Sequence, residues 1–385
     1  HNVIIVGETQ KCCKLIIRKK QERVAMTRFR CRTCFQAYPE TGLPFCCPNC
    51  GGTFTLEDLS YHEPDRTGAL RGIWRYANTF GLPDSYFVSY LGEGETPLVP
   101  VEIEGREYWC KLEHLNPSGS FKDRATAVLA SVLRGRWIKQ VAEDSSGNAG
   151  GSLALYARAF DIDCRIYIPS DTSGPKRRQI EVCGADVRQV EGSRENAHKA
   201  VLNAVMREGL AYASHAMQPF GMAGIATISY EIFETLGAMP DTIICPIGHG
   251  SLFAGVMMGF DALVRAGRAV KRPRMIGVQP EICAPLLAAW RQEPFLGGQG
   301  KSLAEGTMVE TPARAAEILA GLDHGRDLIV GVSEPEIEEA SRLLIRSGLY
   351  VEPTSALALA ASRKVEKIPG KSVLILSGTG LKSAL

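Results

Sequence analysis

From about Leu91 onward, short apolar runs alternate with segments of helical periodicity, and this alternation limits the fold more than any other feature. The apolar runs predict strands over 141–143, 164–168, 187–190, 243–246, 275–278, 329–332 and 373–376. The helical pattern predicts helices over 149–159, 197–207, 224–236, 252–266, 334–346 and 355–365. Strands and helices in this order build a largely parallel sheet covered by helices on both faces. The 385 residues exceed one small core, so two or three structural units are expected. There is no internal repeat and no low-complexity segment.

The residues ahead of this region read differently. Cys12 to Arg23 is basic, with a short apolar patch at Leu15-Ile16-Ile17. It lacks the charged, apolar, small-residue order of a secretory signal, and it is too poor in serine for a transit peptide. A disordered extension is expected over 1–25, and it could precede the natural start, because Met26 stands directly before the first compact module. A connecting segment follows over 59–90, with a short helix at Trp74-Arg75-Tyr76 and a closing turn at Gly81-Leu82-Pro83. A hydrophobic content of 45%, a charged content of 22% and a net charge of +2 give no argument for nucleic acid or membrane surfaces. No apolar run reaches the ~18 residues of a membrane span.

The twelve cysteines are unevenly spread: seven lie at or before Cys50 and five are scattered singly. The scattered ones, such as Cys245 within an apolar run, suit buried free thiols in a reducing cytoplasm. Cys31-Arg32-Thr33-Cys34 and Cys47-Pro48-Asn49-Cys50-Gly51-Gly52 form two knuckles that can close a tetrahedral thiolate site. The glycines after Cys50 let backbone amides face the thiolates. Cys46 leaves one ligand ambiguous, and the Cys-Pro-x-Cys-Gly spacing favours Cys47. Four cysteines leave no open position, so Cys31, Cys34, Cys47 and Cys50 predict a structural zinc in a ribbon over 26–58.

Asn116-Pro117-Ser118-Gly119-Ser120-Phe121-Lys122-Asp123-Arg124 places a lysine where a turn becomes a helix. The positive field of a helix N-terminus disfavours an ammonium there. A lysine so placed can act as a nucleophile toward an aldehyde. Asp144-Ser145-Ser146-Gly147-Asn148 joins a predicted strand to a predicted helix, where free amides attract anions; taken alone, it would be an N-cap turn. Pro246-Ile247-Gly248-His249-Gly250-Ser251-Leu252 has the same strand-to-helix position, and its glycines let successive amides point at one phosphate. No Walker lysine follows it. Leu376-Ser377-Gly378-Thr379-Gly380-Leu381-Lys382 ends the last predicted strand.

Together these segments resemble fold-type-II pyridoxal-phosphate (PLP) enzymes, the group that includes threonine synthase, threonine dehydratase and the tryptophan synthase β chain. The resemblance covers about 31–385. It implies an α/β fold of two parallel-rich subdomains behind a small zinc ribbon. The catalytic domain would span 91–385, with a smaller mobile subdomain at about 125–225. It implies Lys122 as the cofactor lysine, and Ser145, Ser146 and Gly147 at the substrate carboxylate. Asn148 would bond the cofactor's phenolic oxygen, and Gly248, His249, Gly250, Ser251 and Leu252 its phosphate. Ser377 would meet the pyridine nitrogen, where a neutral hydroxyl makes a weaker electron sink than an aspartate and suits elimination or replacement. Gly92-Glu93-Gly94-Glu95-Thr96-Pro97-Leu98 is similar to the family's Gly-x-Thr-Pro-Leu turn and puts Thr96 near the substrate. Glu352-Pro353-Thr354-Ser355-Ala356 is similar to its late Glu-Pro-x-x-Ala segment. Phe121 reads as a core residue or a neighbour of the cofactor.

The ribbon, the lysine turn and the terminal Thr-Gly-Leu-Lys look most like threonine synthase, which converts O-phosphohomoserine and water to threonine and phosphate. There are departures. Gln218 stands where that family has asparagine, Gly221 where arginine is common, and Ala226 where a lysine is frequent. Arg124, Lys111 or Lys176 could substitute from another loop at a substrate phosphate. Leu303-Ala304-Glu305-Gly306-Thr307 is similar to a segment of serine/threonine dehydratases. A threonine-synthase-like enzyme doing β-elimination or β-replacement is therefore the second reading: a dehydratase, a cysteate-synthase-like enzyme or a diaminopropionate-lyase-like enzyme. An inactive zinc-ribbon binding protein is the third; the intact Lys122 and the few basic residues of the ribbon oppose it. A cytoplasmic homodimer acting on a small amino acid is expected, with no nucleic-acid or membrane partner.

Overall fold

The computed structural model describes residues 3–5, 15–19, 28–82, 85–172, 174–366, 368 and 370–382. It divides into two units, each built from two stretches of chain: His1–Gly94 with Lys122–Gly224, and Glu95–Phe121 with Ile225–Leu385.

In chain order the first unit opens with β1 (Val3–Ile5), β2 (Leu15–Lys19), β3 (Phe29–Cys31), β4 (Phe54–Leu56), a 3₁₀ helix over Gly72–Thr79 and β5 (Ser85–Val88). The second unit takes β6 (Leu98–Ile103) and β7 (Arg106–Lys111). The first resumes with α1 (Lys122–Gly135), β8 (Gln140–Glu143), α2 (Asn148–Ala159), β9 (Asp163–Pro169), α3 (Gly174–Val182), β10 (Asp186–Val190), α4 (Arg194–Glu208) and β11 (Ala211–Tyr212). After α5 (Gly221–Leu236), the second unit continues with β12 (Thr242–Pro246), α6 (Ser251–Arg265), β13 (Arg274–Pro280) and α7 (Pro285–Arg291). It closes with α8 (Ala315–Gly321), β14 (Leu328–Val332), α9 (Glu334–Arg346), α10 (Pro353–Lys364) and β15 (Ser372–Ile375).

The main sheet of the first unit has the order β10-β9-β8-β11 and is parallel throughout. One core there gathers Ala142, Tyr167, Ala197, Val201 and Tyr212. Two small antiparallel sheets accompany it, β1-β2-β5 and the ribbon β3-β4. The segment expected to be disordered, 1–25, lies mostly outside the described residues. Within it, the backbones of β1 and β2 pair with each other and, through β2, with β5. The short helix expected at Trp74 is the 3₁₀ helix; Pro83 of the expected closing turn lies outside the described residues.

The second unit holds a six-stranded sheet of order β14-β13-β12-β15-β7-β6. All neighbours are parallel except the edge pair β6 and β7. All five residues of β12 are buried, as an interior strand requires. The β6–β7 hairpin has no counterpart in the sequence reading. Its turn, Glu104-Gly105, has φ of 52° and 75° at the two positions, a two-residue hairpin turn in which Glu-Gly replaces the usual Asn-Gly or Asp-Gly. Helix α9 starts where its sequence says: Ser333 and Glu336 form a capping box, with the Ser333 amide donating to Glu336 Oε2 at 2.7 Å. Among the described residues no helix is long and apolar enough to cross a membrane.

Candidate active site and metal centre

Lys122 is the first residue of α1 and is half-buried. The residues behind it are fixed. Asp123 is fully buried and accepts a hydrogen bond from Ser152 Oγ at 2.6 Å, which also lies 2.9 Å from Thr126 Oγ1. Arg124 is fully buried too. Ser145, Ser146 and Gly147 link β8 to α2, whose first residue is Asn148. Gly147 is the N-cap, and its amide lies 3.4 Å from Ser145 Oγ. A Cβ at Gly150 would sit 1.9 Å from the Ser145 carbonyl oxygen; the glycine lets the loop fold tightly onto its helix. Two residues the sequence reading passed over stand directly before this loop. Glu143 Oε1 lies 2.7 Å from His215 Nδ1, and Asp144 accepts from Tyr212 at 2.6 Å and contacts His198 Nδ1 at 2.9 Å.

The departures in 212–221 have local causes. Gln218 donates to the Tyr212 carbonyl at 2.9 Å and accepts from the Tyr38 hydroxyl at 3.2 Å, a span that suits its extra methylene over asparagine. At Gly221 a Cβ would come within 2.6 Å of the Ala125 Cβ. Helix packing therefore excludes an arginine there.

In the second unit, residues 248–252 join β12 to the fifteen-residue α6. Gly250 has φ of 95°, and a Cβ at Gly248 would lie 2.7 Å from the Gly306 carbonyl oxygen. The His249 carbonyl accepts from the Arg314 amide at 3.0 Å. Ser251 Oγ is buried without a hydrogen-bond partner among the described residues. An orphaned hydroxyl on a glycine-shaped loop at a helix N-terminus fits a phosphate group.

Ser377 lies just past β15 and is buried. Its hydroxyl donates to Glu352 Oε1 at 2.9 Å and lies 3.2 Å from Ser355 Oγ. The Phe121 amide donates to the Ser377 carbonyl at 3.0 Å, and Ser120 bridges to Gly378. A Cβ at Gly119 would come within 2.7 Å of Thr379 Cγ2, and Lys382 donates to the Ser118 carbonyl. The turn that ends at Phe121 is thereby seated on the strand end that carries Ser377. Phe121 is buried. Thr96 is buried and donates to Glu113 Oε1 at 2.7 Å. Lys111 is committed elsewhere: its ammonium donates to Glu231 Oε2 and to the Thr96 carbonyl, both at 2.6 Å.

The ribbon brings the Sγ atoms of Cys31, Cys34, Cys47 and Cys50 within 4.8 Å of one another. Cys31 and Cys50 are 3.4 Å apart and Cys34 and Cys47 3.5 Å; tetrahedral zinc with sulfur bonds of about 2.3 Å asks for about 3.8 Å. The cluster can hold a metal ion. Backbone amides support it, with the Thr33 amide 3.4 Å from Cys31 Sγ. A Cβ at Gly52 would meet the same sulfur at 2.8 Å. The Gln36 amide, followed by the Asn49 side chain, holds the Cys34 thiol down at about 6, while burial pushes Cys46 up. Tyr38, between the knuckles, packs edge-on against Phe54 and Phe220 with ring centroids 4.5 and 4.8 Å apart.

Comparison with known proteins gives the family and the fold. The model of the pyridoxal-phosphate dependent enzyme family matches residues 90–378. The threonine synthase of Methanocaldococcus jannaschii is 29% identical over 378 residues, covering 92% of each chain. That of Bacillus sp. (strain ULM1) is 29% identical over 305 residues, covering 76% of this chain and 84% of its own. Among solved structures, maize serine racemase aligns with a TM-score of 0.64 and 22% identity over 74% of this chain and 88% of its own. A T.th. threonine deaminase aligns with a TM-score of 0.63 and 26% identity over 74% of this chain and 92% of its own. The fold is therefore that of fold-type-II PLP enzymes. The glycine-shaped loop before α6 and the lysine opening α1 both fall inside the matched residues, and the chain belongs to the pyridoxal-phosphate dependent enzyme family.

Proposed function

We propose that this enzyme is a threonine synthase, converting O-phosphohomoserine and water to threonine and phosphate. The seating of the turn 116–121 on the Ser377 strand end carries the reading, and the threonine synthases that match most of the chain support the choice of substrate. When bound, PLP supplies an electron sink for charge developing at the substrate carbons. The amides and the Ser251 hydroxyl of 248–252 would hold its phosphate, Asn148 its phenolic oxygen and Ser377 its ring nitrogen. The Ser377 hydroxyl, which donates to Glu352 here, can rotate to donate to an unprotonated ring nitrogen instead. Ser145, Ser146 and Gly147 would bind the substrate α-carboxylate, with Thr96 nearby. Lys122 Nζ would take the α proton and then a β proton, and the γ-phosphate departs with its C–O bonding pair; one proton returns to Cγ and one to Cα, and water adds its hydroxide at Cβ while its proton leaves with the phosphate. In this reading 26–58 is a structural zinc module, 59–90 a connecting segment and 91–385 the catalytic domain, with about 125–225 its smaller mobile part. A cytoplasmic homodimer belongs to the reading, in keeping with the free, buried thiols of Cys110, Cys164, Cys245 and Cys283.

β-Elimination from serine or threonine is the second reading. It is favoured by the burial of Lys111 and Arg124, two of the three cations proposed for a substrate phosphate. Purified enzyme should be offered O-phosphohomoserine, threonine, serine and O-phosphoserine in turn. Phosphate released from O-phosphohomoserine with an equal amount of threonine is the expected result. Ketobutyrate from threonine, with no phosphate release, would move the assignment to a dehydratase.

Ser377→Ala should retain the cofactor and lower turnover by roughly ten-fold, the worth of about one hydrogen bond. Ser377→Asp should favour a protonated ring and divert product toward transamination. Parent-like rate and product ratio in Ser377→Ala would remove this serine from the ring.

A further inference from the structure

The pair Glu143–His215 has no task in the reading above. Glu143 ends β8 and is 1% exposed. Its carboxylate and the His215 ring, 2.7 Å apart, line a cleft with Ala125, Thr126 and Leu129. Those three residues follow Lys122 by three, four and seven positions, so the cleft runs beneath the face of α1 that begins at Lys122. Thr126 Oγ1 donates back to the Lys122 carbonyl at 3.0 Å. The cleft measures about 10 Å³, room for one water at most. With Glu143 buried, the pair acts on the side chains packed against it.

We propose that Glu143 and His215 are positioning residues for Lys122, a buried acid–imidazole pair that sets the charge on the Lys122 amine. The inference rests on Lys122 being the cofactor lysine. An ionised carboxylate on the side of α1 that Lys122 opens would stabilise positive charge on the lysine nitrogen and oppose the helix N-terminus, which disfavours it; because Glu143 holds its proton above the usual carboxylate range, this influence grows as pH rises and the proton is lost. His215, with Nδ1 2.7 Å from the carboxylate, stabilises its ionised form by donating a ring N–H. Burial, and next the adjacent Asp144, push Glu143 well above the usual carboxylate range, while Lys122 and Arg194 pull it down. The pull of Lys122 on Glu143 is reciprocal. Tyr212 and Cys164 also face Glu143; burial pushes both up, so they stay neutral.

The test follows the pH dependence of the bound cofactor's visible absorbance in the holoenzyme, once borohydride has shown the cofactor on Lys122. Glu143→Gln removes the charge and should move the midpoint to lower pH by about one unit, the lower end of what one neighbouring charge does. Glu143→Asp keeps the charge and should stay near the parent. His215→Ala leaves the carboxylate less favoured as an ion, so its midpoint should move the same way by less. An unmoved midpoint in Glu143→Gln, or an equal move in Glu143→Asp, would overturn the proposal. Should Glu143→Gln not fold, His215→Ala decides, an unmoved or raised midpoint counting against it. A parent whose Lys122 is not labelled would overturn the reading of the site itself.

Discussion

Lys122→Ala should leave a folded protein whose turnover is lower by roughly 10⁴-fold, the upper end of what one positioned proton-transfer group contributes. The fold is expected to survive because Lys122 is half-buried at the first position of α1, where alanine is at least as good a helix former. The buried partners behind it, Asp123 with Ser152 and Thr126 with the Lys122 carbonyl, do not use the lysine side chain. Steady-state kinetics and thermal melts of the same preparation check both halves. Retained turnover would take proton transfer away from Lys122; a lost melt would make it a structural residue.

Cys47→Ser should release the metal and loosen the ribbon, while Cys46→Ser should do neither. The module is small: two three-residue strands, Phe29–Cys31 and Phe54–Leu56, and two knuckles. In such a module metal-binding free energy, on the order of 10 kcal/mol for structural zinc, is largely folding free energy. The loss should spread through Tyr38, which packs on Phe54 and Phe220 and donates to Gln218. The 212–220 segment, with His215, should therefore become more open to hydrogen exchange in Cys47→Ser. Metal analysis and exchange on both variants decide it; equal metal loss would refute the assignment of Cys47 over Cys46.

The elements legible in the sequence are those whose pattern is local. β12 is an apolar run of five buried residues, and α9 carries its own capping box. Elements lacking such a pattern escaped. Helix α3 buries only Ile180, so it shows no apolar stripe. The β6–β7 hairpin turns on Glu-Gly, which lacks the Asn or Asp of the common signal. The candidate site divides in the same way. Lys122, the loop 145–148, the loop 248–252 and Ser377 sit in motifs readable one at a time. Their partners are distant in sequence: Glu143 reaches across 72 residues to His215, Ser377 across 25 to Glu352, and Tyr38 across 180 to Gln218. Only folding brings these together. The consecutive carboxylates Glu143 and Asp144 at a predicted strand end were the one signal available in advance.

Reduction of the PLP-loaded enzyme with borohydride, followed by peptide mapping, tests the central claim most directly. The account predicts loss of the visible band and cofactor mass fixed to the peptide that contains Lys122, with no label in Lys122→Ala. Label on another lysine, or a protein that cannot be loaded with PLP, would contradict it.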